Sequence, residues 1–297
     1  MPRTSLGTSV GTVAHLWRFP VKSMLGEQLS DAVLNERGIL GDRAYALIET
    51  ASGKVVSAKN VKGFPAMFAC RAAFVEAPRP GNTLPPVRIT FPDGRSITSD
   101  STDANAELSK FFGRQVTLAQ IAPSNFTIDE YHPDIDKDDL GPVIEAQLGS
   151  ALFAKVGVPS PVPVGAFFDA FPLSLLTTST LDRLNALRPQ SQFDERRFRM
   201  NVIVRANQTG FVENEWVDQT LEIGDAVQLH IAMPDPRCVM TTLGQDGGLP
   251  RDIDVLRTLT THNRIPVAGM GTMPCAGVYA LVTGGGTVHA GDPICLT

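Results

Sequence analysis

Charge is scarce in this sequence: Asp, Glu, Lys and Arg make up 19% of 297 residues, with a formal balance of -5. Such a chain does not coat nucleic acid or an anionic membrane by long-range attraction, so an anionic ligand would need a local basic pocket. No apolar run reaches the ~18 residues a membrane helix needs, and no membrane span is expected. The start, Met1-Pro-Arg-Thr-Ser-Leu-Gly7, lacks the basic-then-apolar pattern of a secretory signal. Cysteine is sparse as well. Cys70, Cys238, Cys275 and Cys295 are scattered with no C-x-x-C pair, which excludes a local zinc knuckle or iron–sulfur motif. They form no disulfide framework either, so a reducing cytoplasm is the expected compartment. No G-x-S-x-G elbow and no dinucleotide-binding glycine fingerprint occur, and Gly284-Gly-Gly286 reads as a turn. The five histidines do not pair at ligand spacing.

Glycine (26) and proline (22) are plentiful, which points to turn-rich β architecture; the length suits about two domains. Val13, His15, Trp17 and Phe19 alternate as a strand, closed by Pro20. Ala44 to Ile48 and Lys54 to Ser57 flank a turn at Ala51-Ser-Gly53. Val87 to Phe91 and Ser96 to Thr98 flank Pro92-Asp-Gly94. Both read as hairpins. Thr102 to Phe112 has helical spacing, with Gly113 at the C-terminal cap. Residues 122–164 read as loop-rich. Their cluster of Asp134, Asp136, Asp138 and Asp139 lacks the central Gly and closing Glu of a calcium loop and reads as a solvated face.

Beyond it, Phe171 to Leu176 is a predicted strand running into Thr177-Thr-Ser-Thr180, where Ser179 and Asp182 suggest a capped helix start. Phe198 to Val204, Ala226 to Ala232 and Pro293 to Leu296 read as strands, and Asp252 to Thr261 as a helix. The expected fold class is α+β, mainly β: an N-terminal β-rich domain over 10–125, then a β-barrel with short helices over 150–297.

The chemistry centres on Met233-Pro-Asp-Pro-Arg-Cys-Val-Met-Thr-Thr242. Two prolines flank Asp235 and are expected to stop the strand ladder, leaving a fixed loop that presents Arg237 and Cys238. A neighbouring guanidinium favours the thiolate, the form that binds a soft or high-valent metal. The competing reading is a small buried thiol.

Arg237-Cys238-Val-Met-Thr241-Thr242 resembles the R-C-x-x-T segment of MOSC proteins. Phe198-Arg199-Met-Asn201-Val-Ile203 resembles that family's F-R-x-N strand. Phe19-Pro-Val-Lys22-Ser23 with Gly41-Asp42-Arg43-Ala-Tyr45 is similar to its N-terminal associated domain, and Tyr279-Ala-Leu-Val with Gly286 to Pro293 to its last strands. The order of these motifs covers nearly the whole chain and is nearest to the amidoxime-reducing branch.

The resemblance implies a molybdenum–molybdopterin cofactor with Cys238 as metal ligand and catalytic residue. It carries cofactor contacts onto Lys22, Ser23, Arg43, Arg199, Asn201, Arg237, Cys238 and Tyr279. Thr177, Thr178 and Ser179 are added because free amides at a helix start attract anions. For the cations the alternative is ordinary surface charge, for Thr177 to Ser179 simple capping, for Ser23 and Asn201 a turn or strand-edge role, and for Tyr279 core packing. Lys59 stands where the family often has Arg, Asp246 is displaced from the family's Asp, and Cys275 reads as packing.

The implied activity is reduction of small N-hydroxylated substrates. Electrons would come from a separate flavoprotein, ferredoxin or cytochrome-type partner, since nothing here binds NAD(P)H. The alternatives are a cofactor carrier or sulfur-handling protein, and, more plainly, a barrel without cofactor.

Overall fold

In a computed structural model, residues 7–134 and 139–297 are described. The chain is mostly β with few short helices. Seven strands make a closed barrel: β1 (Thr8–Arg18), β2 (Leu173–Thr177), β3 (Val202–Ala206), β4 (Thr220–Ile223), β5 (Val227–Pro236), β6 (Gly271–Gly284) and β7 (Pro293–Leu296). The order round the barrel is β2-β3-β1-β7-β4-β5-β6, and β6 closes on β2. Only β2 and β3 run parallel; a helix, Thr178–Leu187, makes part of the crossover such a pair requires.

Alternation fills this barrel. Val202 and Val204 of β3 point inward with Leu173, Leu175, Leu221, Ile223 and Leu229, whereas Ile203 and Leu176 point outward. There they meet the helices Thr178–Leu187 and Asp254–His262 through Leu181, Leu184, Val255 and Leu259. Gly277 lies where β6 crosses β2. Its φ is +83°, and a Cβ would meet the Leu175 carbonyl oxygen at 2.4 Å.

The N-terminal half has its own apolar core, from Val21 and Met24 to Leu108 and Val116. Its sheets are Arg71–Phe74, Val87–Thr90 and Ser96–Thr98, and the pair Ala46–Glu49 with Val116–Ala119. The helix Ala104–Phe112 ends on Gly113 in the left-handed conformation, as its spacing predicts. Strand β1 does not stay with this half: it pairs with β3 and β7. Asp31–Asn35 likewise pairs with Gly286–His289.

Three local expectations need correction. The turn at Gly53 forms, but Lys54 to Ser57 returns along Ala46–Glu49 only as a bridge at Val55, with the Glu49 amide donating to the Lys54 carbonyl, while the Val55 amide turns away to the Thr127 carbonyl. Residues 122–164 are not mainly loop: Thr127–Asp134 and Asp139–Gln147 form a hairpin, followed by a helix at Ser150–Val156. Apolar Val143 and Ile144 are exposed on the hairpin beside the polar residues, which hid the alternation that buries Ile128. Within the acidic cluster Asp134 pairs with Asp139, and Asp136 and Asp138 lie outside the described residues. The strand expected from Phe198 begins at Val202, since Glu195–Phe198 is helical and Arg199 turns the chain with φ 57°.

Candidate functional site

Strand β5 survives its prolines. Pro234 pairs with Val278 and Pro236 with Cys275, with register shifts absorbing the missing N–H groups, so the expected end of the ladder at Pro234 is corrected. The chain leaves this bulged end through Arg237 into the one-turn helix Val239–Thr242. Thr241 explains the T of the motif: its N–H (3.2 Å) and its hydroxyl (3.0 Å) both donate to the Cys238 carbonyl. The Thr242 hydroxyl donates to Val239 at 2.7 Å. Both threonines are buried, so the turn beneath the half-buried Cys238 thiol is fixed from inside.

Beside Cys238, two lysines share one carboxylate. Lys22, 4% exposed, donates to Asp169 and to the Phe167 carbonyl at 2.8 Å. Lys59 reaches the other Asp169 oxygen at 3.0 Å and Glu130 at 3.3 Å. Burial pushes the Lys22 ammonium below its ordinary value despite Asp169. Burial also works against Lys59, yet Asp169, Cys238 and Glu130 outweigh it and hold that ammonium well above its ordinary value. Asp169, in spite of its own desolvation, is held well below the usual carboxylate range by Lys22 and Lys59. Asp169 was missed in the sequence, because an Asp in a loop has no spacing signal. Lys59, expected to be a weak contact, lies in the middle of the group.

Arg43 and Arg199 share one ring: their guanidinium carbons are 4.5 Å and 4.3 Å from the Phe19 centroid. Arg43 pairs with Asp42 at 2.5 Å and donates to the Arg199 carbonyl at 3.2 Å. Arg199 is 7% exposed and donates to the Met24 carbonyl at 2.7 Å; among the described residues no carboxylate pairs with it. Burial and then Arg43 push its guanidinium down from its ordinary value. Ser23, Arg43 and Arg199 have φ of 66°, 48° and 57°. Among the described residues only Asp218 joins them as a non-glycine with positive φ, so backbone strain concentrates here.

Asn201 is brought to this place but fully used. Its oxygen accepts from the Ser174 amide and hydroxyl, and its nitrogen donates to Trp17 and, at 2.9 Å, to Asp42. With all four of its hydrogen-bonding positions taken, it orients Asp42, and through it Arg43, rather than reaching a ligand itself.

Arg237 is tied to Asp235 at 2.5 Å and to the Phe198 carbonyl at 2.6 Å. Asp235 is 2% exposed. Burial pushes its carboxyl up to about 6, although Arg237 opposes this. Two buried atoms of this pair, Asp235 Oδ1 and Arg237 Nε, lack hydrogen-bond partners. Tyr279 stacks on Phe171, with centroids 5.1 Å apart, and burial followed by Asp235 holds its phenol well above its ordinary value.

Thr177, Thr178 and Ser179 are not drawn into this cluster. The helix is capped by Thr177 rather than Ser179, through the Thr180 amide. The Thr177 hydroxyl donates to Glu213 at 2.6 Å, and the Ser179 hydroxyl to the Gly210 carbonyl at 2.9 Å. With a fully buried carboxylate already at the helix start, a second anion there would meet repulsion. Asp246 is exposed, near Cys70 rather than the lysines. Cys275 is fully buried and burial pushes its thiol up to about 12, as suits packing. No group of three or more His, Cys, Asp or Glu among the described residues is placed to hold a metal.

Residues 10–121 match the family model described as the MOSC N-terminal beta barrel domain, and residues 163–295 that of the MOSC domain. Mitochondrial amidoxime-reducing component 1 of Homo sapiens is 25% identical, over 99% of this chain and 85% of that protein. Mitochondrial amidoxime reducing component 2 of Homo sapiens is 26% identical over 96% and 83%. The YUAD protein of Bacillus subtilis aligns over 97% of this chain and 95% of its own, at 10% identity and a TM-score of 0.43.

Proposed function

This chain belongs to the MOSC-domain proteins, with the family's N-terminal domain and MOSC domain in one polypeptide, and from that premise we propose that it is a molybdenum-cofactor oxidoreductase that reduces N-hydroxylated compounds. The observation that carries the reading is Arg199, a buried cation with which no carboxylate among the described residues pairs, inside a cluster where cations outnumber carboxylates. Lys22, Lys59, Arg43, Arg199 and Arg237 outnumber Asp42, Glu130, Asp169 and Asp235 in a protein that is acidic as a whole. Such a surplus fits a bound anion such as a pterin phosphate. The half-buried Cys238 fits a metal whose other ligands come with the cofactor.

Lys22, Arg43, Arg199 and Lys59 would hold the cofactor by charge, and Cys238 would hold the metal by its thiolate. When bound, the cofactor supplies two-electron redox chemistry. The protein's own residues bind, orient and screen. Asn201 and Asp42 aim Arg43, Thr241 fixes the Cys238 turn, and Asp169 bridges two ammonium groups and offsets their repulsion. The relatives' names favour an amidoxime or similar N–O compound as substrate.

A separate electron-transfer protein of flavoprotein, ferredoxin or cytochrome type completes the reading, and four scattered cysteines with no C-x-x-C pair suit a reducing cytoplasmic setting. Metal-replete protein should show no NADH-dependent turnover alone, yet reduce an N-hydroxylated test compound when given reduced viologen. Transfer of cofactor to an apo molybdoenzyme without any donor-driven reduction would instead establish a carrier.

A further inference from the structure

Arg197 is fully buried and has no place among the groups that would hold the cofactor. It stands in the short helix Glu195–Phe198, between two arginines that behave differently. Arg196 turns to the surface and pairs with Asp194 at 2.7 Å, and Arg199 ends the helix in the left-handed conformation. Neighbours on a helix point roughly 100° apart, so Arg197 turns inward where Arg196 turns out.

Inside, its hydrogen bonds all go to backbone carbonyls. Nε donates to Gln192 at 2.8 Å and Nη2 to Pro250 at 2.9 Å. Nη1 donates to Leu243 at 3.3 Å, with the Thr241 carbonyl at 3.5 Å. Thr241, Leu243 and Pro250 belong to the segment that follows Cys238, and Thr241 is the residue whose N–H and hydroxyl hold the Cys238 carbonyl. On the other side, Gln192 precedes Phe193, whose amide donates to Asn185 on the helix Thr178–Leu187. One guanidinium therefore joins the helices outside the barrel to the turn beneath Cys238, and it does so two residues before Arg199. Arg237 and Gln245 join the same segments from the opposite direction, donating to the Phe198 and Arg196 carbonyls at 2.6 Å and 3.1 Å.

We propose that Arg197 is a positioning residue for the cofactor site: by binding the Thr241, Leu243 and Pro250 carbonyls from the turn that ends on Arg199, it fixes the Cys238 thiol relative to the Arg199 guanidinium. The proposal rests on Cys238 as metal ligand and Arg199 as anion holder. A ligand pair of that kind works only when both groups keep their geometry, so the residues locking them matter as much as the pair. The position calls for arginine. Its planar fork spreads five N–H donors over three nitrogens, whereas a lysine gathers its donors on one atom and cannot serve both the Gln192 and the Pro250 sides.

The test compares wild type, Arg197→Lys and Arg197→Ala. Val288→Ala, in the fully buried core beside Asp31–Asn35, serves as a variant loosened elsewhere. Each folded protein is studied equally far below its own melting midpoint. In metal-free samples, iodoacetamide alkylation is followed by mass spectrometry of the Cys238 and Cys295 peptides. Cys70 and Cys275 are fully buried, and half-buried Cys295 on β7 is the internal reference. The Cys238-to-Cys295 rate ratio should rise in Arg197→Lys by roughly tenfold, the factor that one charge-assisted hydrogen bond is worth. It should rise further in Arg197→Ala, fall back when millimolar guanidinium is added, and ignore the same concentration of sodium chloride. Val288→Ala should keep the wild-type ratio. In metal-replete samples, X-ray absorption at the molybdenum edge should show a more disordered sulfur shell in Arg197→Lys than in wild type.

An unchanged ratio in Arg197→Lys and Arg197→Ala would overturn the proposal. So would an equal rise in Val288→Ala, or failure of both Arg197 variants to fold, since either result makes the residue a general support of the fold. The alkylation readout needs neither metal nor turnover. Absence of molybdenum from every sample would sink the function, while the thiol ratio would still decide whether Arg197 holds the Cys238 turn.

Discussion

Lys22 and Lys59 converge on a single carboxylate, Asp169, one ammonium on each oxygen. Without it, two buried ammonium groups would face each other next to Cys238. Asp169→Asn should therefore cost about 1–3 kcal/mol, a range lowered because the Asp169 side chain is 34% exposed. The pH dependence has a definite sign. A carboxyl held below its unfolded value stabilises the fold above about pH 4 and loses that contribution as pH falls further. Urea melts should show a smaller loss between neutral and acid pH in Asp169→Asn than in wild type. Equal losses would mean that the two lysines are held by something else.

Cys238→Ser should keep the fold and lose the metal. The turn is fixed by Thr241 and Thr242, not by the thiol, so circular dichroism should not change. A hydroxyl is a harder and far less acidic ligand than a thiolate. Full N-reduction by the Ser variant would end the ligand assignment.

Arg199 joins a charge to a strained backbone, and the two can be separated. Both Arg199→Ala and Arg199→Gly should weaken cofactor binding by ~2–4 kcal/mol, read as molybdenum retained after gel filtration. Their stabilities should differ from what composition alone suggests. Glycine relieves roughly 1–2 kcal/mol of left-handed strain at φ 57°, more than its ~0.5–1 kcal/mol entropic cost. The Gly variant should thus be at least as stable as the Ala variant. A clearly less stable Gly variant would show that this φ carries no strain.

Thr177→Ala separates the helix-start network from the cofactor site. Removing the Thr177 hydroxyl takes a hydrogen bond from a fully buried Glu213 and the cap from the helix, for about 1–2 kcal/mol of stability. Burial already pushes the Glu213 carboxyl up from its ordinary value, so its contribution is greatest at low pH and falls as pH rises. The variant should be hit harder at pH 7 than at pH 4, with molybdenum content unaffected. Lost molybdenum would return Thr177 to the cofactor site.

Most of β1, β2 and β7, the hairpin at Pro92-Asp-Gly94 and the helix ending on Gly113 were legible because period and turn chemistry agree there, whereas β4 was not. Lys22, Arg43, Arg199, Arg237, Cys238 and Tyr279 were legible through short motifs, and they do share one region. Asp169 and Asp235 were not. Each matters because of a partner more than forty residues away or a burial that no local pattern encodes. The Thr177-Thr-Ser179 start lies apart from that region for the same reason: the carboxylate bonded to it, Glu213, comes from another segment. Asn201 lies beside the motif residues, and only the fold shows its hydrogen bonds committed to Ser174, Trp17 and Asp42.

Strand β1 stands between β3 and β7 in the barrel, although more than 150 residues separate it from β3 along the chain. The two matched halves are therefore not interchangeable cassettes. A gene cut anywhere between residues 18 and 173 would yield a C-terminal fragment with two raw barrel edges and an N-terminal fragment trailing an unpaired strand. Expressed together, such fragments have a template for finding each other. Expressed apart, each offers an aggregation edge, and shuffling halves between relatives would have to carry β1 along with the barrel it closes.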